Sequence, residues 1–139
     1  MARILAIDYG LKRCGIAVTD PFQIIATALT TVATTDLMNL LINYCAANSV
    51  ERFVVGEAFG HDGEPTHSTP HIEGFVKRLI KQFPDTPISR VDESFTSRMA
   101  EEVILQSGLG KMKRRNKALV DKVSAVLILQ AYLESKQGL

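Results

Sequence analysis

Residues Ile4–Asp20, ILAIDYGLKRCGIAVTD, decide the fold. An apolar run, Ile4–Ile7, ends in Asp8. Tyr9-Gly10 and the basic pair Lys12-Arg13 follow, then a second apolar run, Gly15–Val18. Two β-rich runs joined by a glycine-containing turn predict a β-hairpin. The first run is apolar at every position, as a strand buried on both faces would be. Asp8 then stands at the rim of a core, where a charge needs a partner: a backbone N–H, a Lys or Arg, or a metal ion. The plainer reading is that Asp8 only shapes the turn before Gly10, as Asp often does.

Working outward, 139 residues predict a single domain over 1–139, large enough for a proper core. With 46% hydrophobic and 22% charged residues, the composition is that of an ordinary globular protein. A net charge of +1 gives no global case for nucleic acid or membrane, so any such case must come from local clustering. Cys14 and Cys45 have no CxxC spacing and read as reduced thiols of a cytoplasmic protein. No run has the order of a signal peptide or the length of a membrane span, so a membrane partner is not expected.

After the hairpin, Asp20-Pro21 marks a turn and Ile24–Val32 reads as a third strand. Thr34-Thr35-Asp36 supplies N-cap types before a helical stripe of Leu37, Leu40, Leu41 and Tyr44, ending near Asn48. Arg52–Gly56 predicts a fourth strand, and Glu57–Ser68 a long loop. Thr69-Pro70 opens a second helix to Gln82, with Ile72, Phe75, Val76, Leu79 and Ile80 inward. Ile88–Val91 is a fifth short strand ending in Asp92-Glu93. A third helix is expected from Thr96 to Leu105, a basic connector over Leu109–Asn116, and a buried last helix over Lys117–Lys136. The order β-β-β-α-β-α-β-α-α favours an α/β fold: a five-stranded mixed sheet, three antiparallel strands plus two parallel, flanked by helices. The first strand is then central. Strands one, four and five finish at one sheet edge, where ligands of open α/β sheets gather. Asp8, Glu57 and Asp92-Glu93 fall there.

Asp121 lies one turn into the last helix, within ALVDKVSAVLILQ. An Asp in a first turn is favoured by the helix dipole alone. In this apolar context it is also a candidate to converge with Asp8 and Glu93. Close carboxylates repel, so such a cluster requires a cation. Oxygen ligands select Mg²⁺ or Mn²⁺ over Zn²⁺. Two such ions about 4 Å apart stabilise both the attacking and the leaving oxygen in phosphodiester hydrolysis. Lys111, Lys113, Arg114, Arg115, Lys117 and Lys122 crowd beside Asp121, and Lys12-Arg13 beside Asp8. Most charge runs are solvated faces. A run leading into a carboxylate cluster also suits a phosphate-backbone substrate.

Three blocks carry a family resemblance: IDYGLKRCGIAVTD, DESFTS at Asp92–Ser97 and NKALVDKVSAVLILQAYL at Asn116–Leu133. In order and length the chain resembles the YqgF family, also called RuvX, of pre-16S rRNA nucleases and Holliday-junction resolvase-like proteins. The resemblance implies an RNase H-like fold and a metal-dependent nuclease whose acidic triad is Asp8, Glu93 and Asp121. It implies pre-rRNA processed at the 5′ end of 16S rRNA, with the small ribosomal subunit precursor as partner, or branched DNA as the substrate. A resolvase would act as a homodimer. Ser94 stands where the family motif usually carries Arg, and Ala58 where it usually carries Pro. Glu57 ends strand four, where more distant RNase H-like enzymes place a metal ligand.

Two rival readings are weaker. An actin-like ATPase needs a second phosphate hairpin on a second domain, and this chain is too short for both. An RNA-binding module that cuts weakly or not at all is the other, and the intact triad argues against it. His61, His67 and His71 lack zinc-site spacing, and Gly10 with Gly15 is no dinucleotide fingerprint.

Overall fold

The computed structural model describes residues 2–57, 69–92 and 117–136. Strands β1 (Arg3–Asp8), β2 (Arg13–Thr19) and β3 (Ala26–Ala33) come first. A 3-10 turn over Thr34–Asp36 leads into α1 (Leu37–Ala47). Then follow β4 (Val50–Glu57), α2 (Thr69–Gln82), β5 (Ile88–Asp92) and α3 (Lys117–Lys136). The sheet order is β3-β2-β1-β4-β5. β1–β2 and β2–β3 are antiparallel, β1–β4 and β4–β5 parallel. This is the expected three-plus-two sheet with β1 at its centre.

Alternation along β1 sends its side chains into two cores. Leu5, Ile7 and Tyr9 join Phe53, Val55, Leu37, Leu41, Phe75 and Leu79 under α1 and α2. Ile4 and Ala6 join Ala17, Val54, Ala125, Ile128 and Leu129 under α3. Ile4, Leu5 and Ile7 are fully buried, each contributing about 1.5–3 kcal/mol. Ala6, Ala17 and Ala125 are small, so α3 can approach the sheet closely. At the outer end of β1, Tyr9 stacks on Phe75 of α2, with ring centroids 5.0 Å apart.

Three local expectations are corrected. Strand three begins at Ala26, not Ile24. Asp20 Oδ1 accepts the backbone N–H groups of Ile24 and Ile25, and Oδ2 that of Phe22. The aspartate takes the donors that a strand ladder would have used. Ile24 and Ile25 are left exposed, beside Gln23 at φ 60°. Likewise, Asp36 of the Thr34-Thr35-Asp36 run is the N-cap of α1, as expected, but in αR geometry and without the expected side-chain cap bond. The Thr34 hydroxyl bonds Gly10 instead. Ile80, expected inward, is half exposed. At about 100° per residue it sits some 80° round from Ile72, on the rim of the stripe. The expected third helix (Thr96–Leu105), the basic connector and most of the loop after Glu57 lie outside the described residues.

Candidate active site

Parallel strands finish together, and here the finish is acidic. Ile7 pairs with Val55, Gly56 with Val91, and Glu57 with Asp92. Asp8, one step past Ile7, is therefore level with Gly56 and Val91. Period-2 alternation gives Asp8 the face of Ile4 and Ala6, which is the α3 face. The Asp8 side chain is half-buried. Glu57 and Asp92 close β4 and β5 as a backbone pair.

Helix α3 packs on this face of the sheet. The Arg52 guanidinium lies 5.9 Å from the centre of the Tyr132 ring, and Arg52 pairs with Ile4. From Tyr132 back to Asp121 is eleven residues, about 16 Å at 1.5 Å per residue. From Ile4 to Asp8 is four residues, about 13 Å at 3.3 Å per residue. That helix length matches the distance from the Ile4 end of β1 to the edge where Asp8 stands. β5 lies two strand spacings from β1, about 10 Å. Between them, at the level of Asp8, β4 has Gly56, which brings no side chain into that space. Sequence reasoning passed over Gly56. Its signal was a glycine closing an otherwise apolar strand.

The other expected site residues divide by position. Glu93 follows Asp92 directly in the sequence and lies outside the described residues, as do Lys111, Lys113, Arg114 and Arg115. Lys117 opens α3. Lys12 is exposed and Arg13 half-buried, both on the turn and strand that follow Asp8. Among the described residues no three His, Cys, Asp or Glu groups converge into a metal-holding set. The donors proposed at this edge are carboxylates only, which suits a hard divalent cation and not zinc. A groove of about 720 Å³ between β3 and α1 is lined by Leu29, Val32, Leu40 and Tyr44 among others. Asp36 is the one charged residue in its lining, so it lacks the groups for phosphodiester chemistry.

The turn joining Asp8 to Arg13 is closely packed. A Cβ on Gly10 would lie 2.4 Å from the Arg13 carbonyl oxygen. Thr34 Oγ1 donates to the Gly10 carbonyl at 2.7 Å, and Thr34 N–H to the Lys12 carbonyl at 3.0 Å. The Cys14 thiol lies 3.4 Å from Thr34 Oγ1 and 3.7 Å from the Gly10 carbonyl oxygen. Cys14 and Cys45 are both free thiols, and burial pushes the Cys45 thiol pKa up.

Comparison with known proteins gives three findings. A family model described as "RuvX: Holliday junction resolvase" matches residues 2–135. A protein of Porphyromonas gingivalis named "Putative pre-16S rRNA nuclease" is 55% identical over 135 residues, 97% of this chain and 98% of its own. One of the same name from Christiangramia forsetii is 52% identical over 133 residues, covering 96% and 98%. Among solved structures, Thermus thermophilus RuvC in complex with a Holliday junction substrate matches with a TM-score of 0.59 at 16% identity, covering 99% of this chain and 97% of that one. At that identity the likeness shows a shared fold, the RNase H-like one.

Proposed function

The chain belongs to the RuvX family, and from that premise we propose that it is a divalent-metal-dependent nuclease acting on the 5′ end of pre-16S rRNA. The observation that carries the reading is the placement of Asp8: on the α3 face, at the C-terminal end of the central strand. The relatives at 50–55% identity bear the pre-16S name, which favours RNA over the junction in the family's description.

In this reading Asp8, Glu93 and Asp121 are the catalytic carboxylates and hold Mg²⁺ or Mn²⁺. The cation, when bound, supplies Lewis-acid stabilisation of the attacking and leaving oxygens. Asp121 orients the attacking water by accepting its hydrogen bond. The water passes a proton to Asp121 as its oxygen bonds to phosphorus and the bond to the leaving oxygen breaks, and the leaving oxygen takes a proton from solvent. Lys12 and Arg13 neutralise the phosphate beside the cut. Lys111, Lys113, Arg114, Arg115 and Lys117 hold the flanking backbone. A cytoplasmic location and contact with the small-subunit precursor follow from that substrate.

The test offers purified protein single-stranded RNA, duplex RNA and a four-way DNA junction, each with Mg²⁺, Mn²⁺ or EDTA. RNA cutting that EDTA abolishes is the expected result. Cutting of the junction alone would move the substrate to branched DNA and imply a homodimer with two opposed sites. Tight, salt-sensitive binding without cutting would make the protein a binding module.

A further inference from the structure

We propose that Thr34 is a positioning residue for the turn Tyr9–Lys12, holding it in the geometry that Asp8 and Lys12 need; this rests on the reading of Asp8 as catalytic. Thr34 lies at the junction of β3 and the 3-10 turn, far from Asp8 in sequence. It ties the Asp8 turn at two points: its hydroxyl donates to the Gly10 carbonyl and its N–H to the Lys12 carbonyl. A threonine hydroxyl has one proton. That proton is donated to the Gly10 carbonyl oxygen at 2.7 Å, and the Cys14 thiol is a second donor to the same oxygen at 3.7 Å. The thiol is a weak donor, so the hydroxyl is the stronger hold on the Gly10 carbonyl.

The turn needs such a hold. Asp8 is the last residue of β1, and its pairing with Gly15 is the last rung of the β1–β2 ladder. Past that rung, the two Thr34 bonds tie the turn to the first residue of the 3-10 turn after β3. Tyr9 adds a packed ring on α2. Between Tyr9 and Lys12, Thr34 therefore holds the backbone at two carbonyls. Gly10 is two residues from the proposed ligand Asp8, and Lys12 is itself a proposed phosphate contact. A shift here changes where both side chains start.

Thr34→Val keeps the shape and the backbone N–H bond to Lys12, and removes only the hydroxyl donor. Thr34→Ser restores the donor and omits the methyl. Each is assayed beside wild type and Asp8→Asn for RNA cleavage, thermal midpoint and Mn²⁺ affinity by electron paramagnetic resonance. The expected result is a kcat for Thr34→Val about 10–100-fold below wild type, as for other residues that orient a metal ligand. KM for RNA stays near wild type, Mn²⁺ binding weakens, and Thr34→Ser returns both quantities towards wild type. Wild-type kcat and Mn²⁺ affinity in Thr34→Val would overturn the proposal. So would a loss that Thr34→Ser fails to restore, because the methyl and its packing would then be what matters. If Asp8→Asn still cuts, the reading of the site fails and takes this inference with it. If Asp8→Asn is dead and Thr34→Val is normal, only the role of Thr34 is refuted.

Discussion

Gly10→Ala is the smallest change that separates the fold from its proposed chemistry. The added methyl would start 2.4 Å from the Arg13 carbonyl oxygen, and real Cβ atoms do not come closer than 3.0 Å. The obstacle is backbone, so no side chain can swing aside. The turn must open by about 0.6 Å or more. Overpacking of this kind costs about 1–3 kcal/mol. For a chain of this size that lowers the thermal midpoint by very roughly 3–15 °C. The displacement falls between Asp8 and the Lys12-Arg13 pair, where a misplacement of about 1 Å can cost on the order of 100-fold in rate. Melting followed by circular dichroism measures the first quantity, and RNA cleavage well below the new midpoint the second. The expected outcome is a folded protein whose kcat has fallen at least about tenfold. A variant with wild-type midpoint and wild-type rate would refute both the tightness of the turn and its link to Asp8.

Two further outcomes follow from the same structure. Asp20 accepts three backbone N–H groups, and its pKa lies below the usual 3.8, chiefly through the Ile25 N–H. A folded pKa below the unfolded one stabilises above pH 3.8 and is lost as pH falls through the lower value; Asp20→Ala should therefore melt below wild type at neutral pH, with the gap closing in acid. A gap unchanged between pH 7 and pH 3 would contradict this. Replacing Lys113, Arg114 and Arg115 together by Ala should weaken RNA binding and reduce the slope of log K against log salt by up to about 2–3, since each phosphate contact contributes about 0.7–0.9. An unchanged slope in a filter-binding series would remove this patch from the substrate path.

Much of the fold was legible because the hairpin and the parallel strands are written in burial. Ile4–Ile7 is apolar throughout since β1 is central and covered on both faces. The helical crossovers then required β4 and β5 to run parallel to it. Thr69–Gln82 and Lys117–Lys136 carry helix bounds that match the observed ones. Ile24 and Ile25 misled because their β-branched side chains resemble strand residues, whereas the carboxylate of Asp20, four and five residues upstream, captures their N–H groups. Thr34 misled for a related reason: its hydroxyl serves a turn that is distant in sequence, and local capping rules do not see that partner.

The candidate site was legible in part. Asp8 stood out as a charge ending a buried strand. Gly56 did not, because its value lies in the side chain it lacks between β1 and β5. Glu57 drew attention as a strand-ending acid, and it does end β4, paired with Asp92.

The central claim is most directly tested by metal-dependent RNA cleavage in Asp8→Asn beside wild type, with thermal melting as the control for folding. Asparagine keeps the size of the side chain and removes its charge. The account requires wild-type cutting in Mg²⁺ or Mn²⁺, cutting lost in Asp8→Asn, and a melting curve for the variant no lower than a few degrees below wild type. An Asp8→Asn protein that cuts at the wild-type rate would contradict it.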